Sequence, residues 1–114
     1  MAQCGDILMG NTSKQYNMDY YRFILNTSDS YITFSKEDTP NIELILYDSK
    51  DNELDSTESD DIYVNNTQQF YSQSNLAIYL SDAGIYYLEI VGSSTDYQTE
   101  YIITIECEAS VLLG

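Results

Sequence analysis

A cluster of oxygen-bearing side chains lies in a polar stretch near the middle of the sequence. Its members are Asp48, Asp51, Asn52, Glu53 and Asp55. Carboxylate and amide oxygens are the ligands that Ca²⁺ prefers, and one ion takes about six to eight of them. The spacing lacks the glycine and the terminal glutamate of an EF-hand loop. The stretch therefore predicts either a Ca²⁺ site at the end of a loop or an ordinary charged, solvated loop.

Catalytic chemistry has little support in the residues. The chain contains no histidine, which removes the usual general base and the commonest metal ligand. No glycine-rich phosphate loop and no zinc-ligand spacing are found. Two carboxylates can hydrolyse glycosides when a cleft holds them at a fixed separation, but no such pair is singled out here. We therefore expect a non-catalytic domain, with no cofactor apart from the Ca²⁺ that residues 48–55 could bind.

The two cysteines, Cys4 and Cys107, lie near opposite ends of the chain. An even pair in a small acidic domain is typical of a disulfide formed in an oxidising compartment, and two unlinked thiols are the alternative. Cys107 follows the inward alternation of the strand before it, so its side chain can reach a neighbouring strand near the chain start. The pair predicts a disulfide and an extracellular or cell-surface location.

The 12 tyrosines are the most abundant aromatic residues, and several of them alternate away from the core. The tyrosines and aliphatic residues assigned to outer faces are Tyr20, Tyr31, Ile45, Tyr47, Tyr79, Ile85, Tyr87 and Val91. This is an apolar surplus for a solvated surface, and it predicts a protein contact surface. The predicted contact residues are Tyr20, Ile45, Tyr47 and Tyr87. The alternative is that tyrosine is simply a good strand former whose hydroxyl stays in water.

Alternation of apolar and polar residues predicts that β-strands carry these side chains. The residues assigned to the core are Asp19, Tyr21, Phe23, Leu25, Ile32, Phe34, Ile42, Leu44, Leu46, Leu76, Ile78, Leu80, Tyr86, Leu88, Ile90, Tyr101, Ile103 and Ile105. Turn-forming residues predict one hairpin around residues 26–30 and another between residues 91 and 101. Weaker strands are predicted at residues 62–64 and 69–71, and a long solvated loop at residues 48–61.

The chain is expected to be one all-β domain. A length of 114 residues is close to the commonest domain size, so residues 1–114 should share one core. About eight short strands separated by turns, with no helical periodicity, predict a two-sheet antiparallel β-sandwich with a jelly-roll-like arrangement.

The strong acidity of the chain restricts its partners. Lys and Arg number 4 against 19 Asp and Glu, which gives a formal charge of −15. Nucleic acid and anionic membranes are normally bound through clustered Lys and Arg, so neither is expected as a partner. No apolar stretch approaches the roughly 20 residues that span a bilayer, and no transmembrane segment is expected. A protein partner or self-association remains.

Three segments carry recognisable motifs. Residues 19–23 read Asp-Tyr-Tyr-Arg-Phe, residues 43–48 read Glu-Leu-Ile-Leu-Tyr-Asp, and residues 83–90 read Ala-Gly-Ile-Tyr-Tyr-Leu-Glu-Ile. They resemble the Asp-x-Tyr-x-Phe strand, the Leu-x-Leu-Tyr-Asp strand and the Ala-Gly-Thr-Tyr-Tyr-x-x-Val hairpin of the bacterial pre-peptidase C-terminal domain family. Residues 101–105 resemble its closing strand.

That resemblance implies a jelly-roll-like sandwich related to the collagen-binding domains of secreted collagenases. The collagen-binding members hold calcium partly through an acidic segment before the first strand. Residues 1–5 carry no such cluster, so we do not carry that calcium site over. The long acidic stretch and the two cysteines are not part of the family's pattern.

Two functions follow from these observations. The first is a secreted or cell-surface domain that mediates adhesion or self-assembly, as a filament subunit would, through its tyrosine-rich faces and strand edges. The second, implied by the resemblance, is a substrate-targeting or folding module of a larger secreted protease. The residues alone favour the first.

Overall fold

The strands are seen in a computed structural model that describes residues 1–12, 18–36, 42–57, 60–64, 67–71, 75–92 and 99–109. These ranges contain eleven β-strands. They are β1 (Ala2–Gln3), β2 (Ile7–Thr12), β3 (Met18–Leu25), β4 (Ser30–Lys36), β5 (Ile42–Tyr47), β6 (Glu53–Ser56), β7 (Asp60–Val64), β8 (Thr67–Tyr71), β9 (Leu76–Leu80), β10 (Gly84–Gly92) and β11 (Thr99–Ala109). Nothing in them forms a helix of the length and apolarity that crossing a membrane requires.

Nine of these strands form two sheets that pack against each other. The five-stranded sheet has the order β1-β3-β10-β5-β6, and the four-stranded sheet has the order β2-β11-β4-β9. The pairing of β1 with β3 is parallel, and the other pairings are antiparallel. Strands β7 and β8 pair with each other. The predicted two-sheet β-sandwich is confirmed, with nine strands in its sheets where about eight were expected.

Alternate side chains of both sheets form one core, because residues two apart in a strand share a face. The largest fully buried side chains are Phe23, Ile32, Phe34, Ile42, Leu44, Leu46, Leu76, Leu88, Ile90, Tyr101, Ile103 and Ile105. All were assigned to the core from alternation, and these assignments are confirmed. Each buried Leu, Ile or Phe side chain contributes about 1.5–3 kcal/mol to folding relative to an exposed one.

The two predicted hairpins are wrong. Strand β3 belongs to the five-stranded sheet and β4 to the four-stranded sheet, so residues 26–29 carry the chain from one sheet to the other. Strand β10 pairs with β3 and β5, whereas β11 pairs with β2 and β4. Alternation shows which face of a strand is buried. It does not show the partner strand, because both sheets bury a face against the same core.

The acidic stretch at residues 48–61 is not the continuous loop that was predicted. Glu53–Ser56 forms β6 and pairs with β5, and β7 begins at Asp60. A short turn at residues 48–52 therefore joins β5 to β6. The weaker strands predicted at residues 62–64 and 69–71 are confirmed, as parts of β7 and β8.

Candidate functional site

The predicted disulfide joins Cys4, in the turn after β1, to Cys107 of β11. The Cα atoms are 5.6 Å apart. The backbone N–H of Gly5 donates a hydrogen bond of 2.9 Å to the carbonyl of Ile105, which holds the turn beside β11. Such a bond between distant parts of a small domain is typical of proteins that fold in an oxidising, extracellular setting.

The residues predicted to bind Ca²⁺ lie in and after the turn that joins β5 to β6. The Asp48 carboxylate accepts hydrogen bonds from the backbone N–H groups of Lys50 and Asn52 at 2.8 and 2.9 Å, and from the Asn52 amide at 3.0 Å. These bonds, chiefly those from Asn52, lower the pKa of Asp48. Glu53 and Asp55 lie exposed on β6.

No group of three or more Asp, Glu, Cys or His side chains that could hold a metal ion is found among the described residues. The structure gives Asp48 a role in the turn, where its oxygens satisfy backbone N–H groups. Calcium binding by this segment stays a prediction.

The outer face of the five-stranded sheet brings all four predicted contact residues together. In the register of the sheet, Tyr20, Glu89 and Ile45 form one row across β3, β10 and β5. Tyr87 lies opposite Tyr47 in the next row. Directly opposed and diagonal side chains on one face of a sheet are close enough to interact.

Three of these tyrosines line an open pocket of about 470 Å³, together with Asp51. Tyr20 is 61% exposed, while Tyr47 and Tyr87 are half-buried. Asp51 belongs to the turn between β5 and β6, where its backbone adopts a left-handed conformation with a φ of 63°. The structure therefore places Asp51, which was predicted as a calcium ligand, at the edge of the tyrosine pocket.

Glu89 lies beside this pocket and is only 6% exposed. The Tyr47 hydroxyl donates a hydrogen bond to its Oε1 atom at 3.3 Å. A hydrogen bond to Glu89 also raises the pKa of Tyr20 to about 12. Burial and the charge of Glu89 raise the pKa of Tyr47. Both hydroxyls therefore stay protonated at neutral pH, and that of Tyr47 is bonded to the Glu89 carboxylate.

Tyr31 and Tyr79, also assigned outward, lie on the other face of the sandwich. They are directly opposed on β4 and β9, with ring centroids 5.0 Å apart. The Tyr79 hydroxyl donates a hydrogen bond to Asp29. The outward tyrosines are thus divided between two faces, and those of the five-stranded sheet line the pocket.

Glu89 is the residue of this site that the sequence analysis missed. Its signal was present, because Glu89 alternates with Tyr87 and Val91 and so had to face outward. An acidic residue at such a position usually points into solvent. Its direct neighbours on this face of the sheet are Tyr20 and Ile45, which come from two other strands.

A comparison with solved structures supports the resemblance seen in the motifs. The chain is similar to the pre-peptidase C-terminal domain of the collagenase from Bacillus anthracis, whose crystal structure was determined at 1.0 Å. The TM-score is 0.58, and the alignment covers 91% of this chain and 90% of that chain at 15% sequence identity. No family model matches the sequence, and no curated protein matches it. At this low sequence identity the structural similarity shows the fold alone. The chain has the fold of a pre-peptidase C-terminal domain.

Proposed function

We propose that this chain is a non-catalytic, extracellular recognition module that binds a protein ligand through its tyrosine pocket. The observation that carries the proposal is the convergence of Tyr20, Tyr47 and Tyr87, from three strands, on one open pocket. Tyrosine is enriched among the residues that dominate protein interfaces, since its ring buries a large area and its hydroxyl still bonds.

The fold likeness favours a substrate-targeting module of a secreted protease over a filament subunit. The similar domain belongs to a collagenase, so collagenous proteins are the first ligands to test. The Cys4–Cys107 bond supports an extracellular setting. The lack of histidine supports a non-catalytic role.

The experiment compares binding of the purified domain to fibrillar collagen, gelatin and casein, each immobilised on a sensor surface. A variant carrying Tyr20→Ser, Tyr47→Ser and Tyr87→Ser removes the pocket. We expect its affinity for the ligand to fall by at least about thirtyfold. That is the loss expected when one side chain that contributes about 2 kcal/mol to binding is removed.

The matched control carries Tyr31→Ser and Tyr79→Ser, which remove the tyrosine pair of the opposite face. This control should bind like the unchanged chain. Two results would contradict a role for the pocket. One is equal ligand binding by the unchanged chain and both variants, and the other is an equal loss of binding in both variants. Circular dichroism and thermal melting establish that each variant is folded.

Self-assembly is a second candidate, and an exposed apolar strip on the four-stranded sheet favours it. Ile7 and Met9 of β2 are 59% and 69% exposed, and Ile102 of β11, opposite Met9, is 41% exposed. Contiguous exposed apolar side chains often mark association sites. If the domain assembles here, light scattering at high concentration should show oligomers, and a Met9→Ser/Ile102→Ser variant should be monomeric.

A further inference from the structure

The tyrosine pocket lies within a cluster of negative charge. Asp51 lines the pocket directly, and Glu89 lies beside it with its carboxylate bound to a tyrosine hydroxyl. Glu53 lies opposite Tyr47 in the register of β5 and β6. The nearby carboxylates therefore come from three segments of the chain, with Asp51 at the pocket surface.

The hydrogen bond from Tyr47 to Glu89 increases the negative character of the pocket itself. A hydroxyl that donates to a carboxylate becomes a stronger acceptor on its own oxygen, because hydrogen bonds in a chain polarise one another. The hydroxyl of Tyr47 is in this position. The faces of the tyrosine rings are also electronegative.

Basic residues are scarce on the strands around the pocket. Strands β3, β5, β6 and β10 and the turn at residues 48–52 contain two Lys or Arg residues, which are Arg22 and Lys50. Arg22 is exposed and lies opposite Tyr87. The same segments carry seven Asp and Glu residues. The two positive charges do not balance them, so the pocket suits a ligand that brings positive charge.

We propose that the pocket binds the side chain of a lysine or arginine from the protein ligand. This inference rests on the proposed function and specifies what the pocket recognises. The aliphatic stem of the side chain would pack against the tyrosine rings while its charged end meets Asp51 and the polarised hydroxyl of Tyr47. A neutral ligand would cover the same carboxylates without replacing their solvation, which weakens binding.

The test is an NMR titration of the ¹⁵N-labelled domain with short host peptides that differ at one central residue. The four central residues are lysine, arginine, norleucine and glutamate. We expect the lysine and arginine peptides to shift the resonances of Tyr20, Tyr47 and Tyr87. Norleucine has the stem of lysine without its charge, and its peptide should bind at least about tenfold more weakly. The glutamate peptide should not bind.

Two variants test whether the negative charge at the pocket, and not the overall charge of the domain, attracts the peptides. Asp51→Asn changes an exposed turn residue, and it should weaken lysine and arginine binding several-fold without changing norleucine binding. Glu106→Gln removes one charge from an exposed position on β11 in the other sheet. It gives the same net charge as Asp51→Asn and should bind like the unchanged chain. Equal weakening by both variants would mean that overall charge, not the pocket, attracts the peptides, and would overturn the inference.

The remaining outcomes separate this inference from the proposed function. Lysine and norleucine peptides that bind the tyrosines equally well would overturn the requirement for charge and leave protein recognition by the pocket intact. A second outcome is that no peptide shifts a tyrosine resonance, although a protein ligand binds and its binding requires the tyrosines. This outcome would also overturn the inference and leave the proposed function intact. If protein binding does not require the tyrosines and no peptide shifts their resonances, both the inference and the proposed function are overturned.

Discussion

The hydroxyl of Tyr101 donates a hydrogen bond to a carboxylate oxygen of Asp19, with 2.6 Å between the two oxygens. The bond joins β11 of the four-stranded sheet to β3 of the five-stranded sheet. The hydroxyl of Tyr21 lies 2.7 Å from that of Tyr101 and completes the network. Tyr101 is 2% exposed, so water cannot readily replace these partners. The contact fastens the two sheets together at one end of the sandwich.

Replacing Tyr101 by phenylalanine removes this hydrogen bond and keeps the ring. Because the acceptor is a carboxylate, we expect Tyr101→Phe to lower the free energy of unfolding by about 1.5–3 kcal/mol. Urea denaturation at pH 7 measures the loss. Tyr31→Phe, at an exposed position, is the control and should change stability by less than about 0.5 kcal/mol. Similar losses in both variants would contradict a special role for the Asp19 bond.

A side chain at Gly10 would displace the Tyr101 ring. Gly10 lies opposite Tyr101 in the pairing of β2 with β11. An added Cβ atom would be 2.5 Å from the Tyr101 hydroxyl oxygen and 2.8 Å from Cζ. We expect Gly10→Ala to cost about 1–3 kcal/mol. In a Tyr101→Leu background the clash is absent, so the cost should fall. A cost that is the same in both backgrounds would show that the ring is not the obstacle.

Loss of the disulfide should destabilise the domain strongly. Cys4 and Cys107 are 103 residues apart in the sequence, so the bond restricts almost the whole unfolded chain. Loop entropy predicts that Cys4→Ser/Cys107→Ser lowers the free energy of unfolding by about 2–5 kcal/mol. Denaturation with and without dithiothreitol measures this. The reductant should destabilise the unchanged chain and have no effect on the double variant.

Tyrosine ionisation should limit stability at alkaline pH. Burial raises the pKa of Tyr101 well above its ordinary value of 10.0, and the Glu89 bond raises that of Tyr20 to about 12. Above pH 10 the unfolded chain therefore binds fewer protons than the folded chain. This stabilisation is complete below pH 10 and is lost as the pH rises through the folded-state pKa values. The free energy of unfolding should accordingly fall above pH 10.

Titration of Lys36 changes the free energy of unfolding in the opposite direction, so its effect must be distinguished from that of the tyrosines. Burial lowers its pKa from 10.5 to about 8, so its titration raises stability with pH between those two values. Tyr101→Phe should therefore reduce the fall above pH 10 while leaving the slope between pH 8 and 10 unchanged. Denaturation curves measured across this range decide the point. A fall of the same size in the variant would rule Tyr101 out as its source.

Calcium binding at the turn after β5 can be tested by melting. A bound ion stabilises the folded state by mass action, so Ca²⁺ should raise the melting temperature if the site exists. Asp51→Asn should then reduce the rise, and Mg²⁺ at the same ionic strength provides the control for screening. A melting temperature that chelator leaves unchanged would reject the prediction.

The burial of Phe23, Leu44 and Leu88 was determined by the sequence alone. Side chains in a strand alternate between its two faces, and this depends only on the local backbone. The same local rule placed Cys107 inward, in phase to meet Cys4. It also placed Tyr20, Tyr47 and Tyr87 outward.

Only the tertiary structure decided which of these outward residues meet. The alternation of β3 and β4 is compatible with a hairpin, yet the two strands lie in different sheets. The tyrosine pocket arises because β10 lies between β3 and β5 in a register that sets Glu89 beside Tyr20. Pairing and register depend on contacts between residues far apart in the chain. A local sequence pattern does not predict the combined free energy of those contacts. For that reason a glutamate that alternation places on the surface is buried, with Tyr20 and Ile45 beside it and the Tyr47 hydroxyl bonded to it.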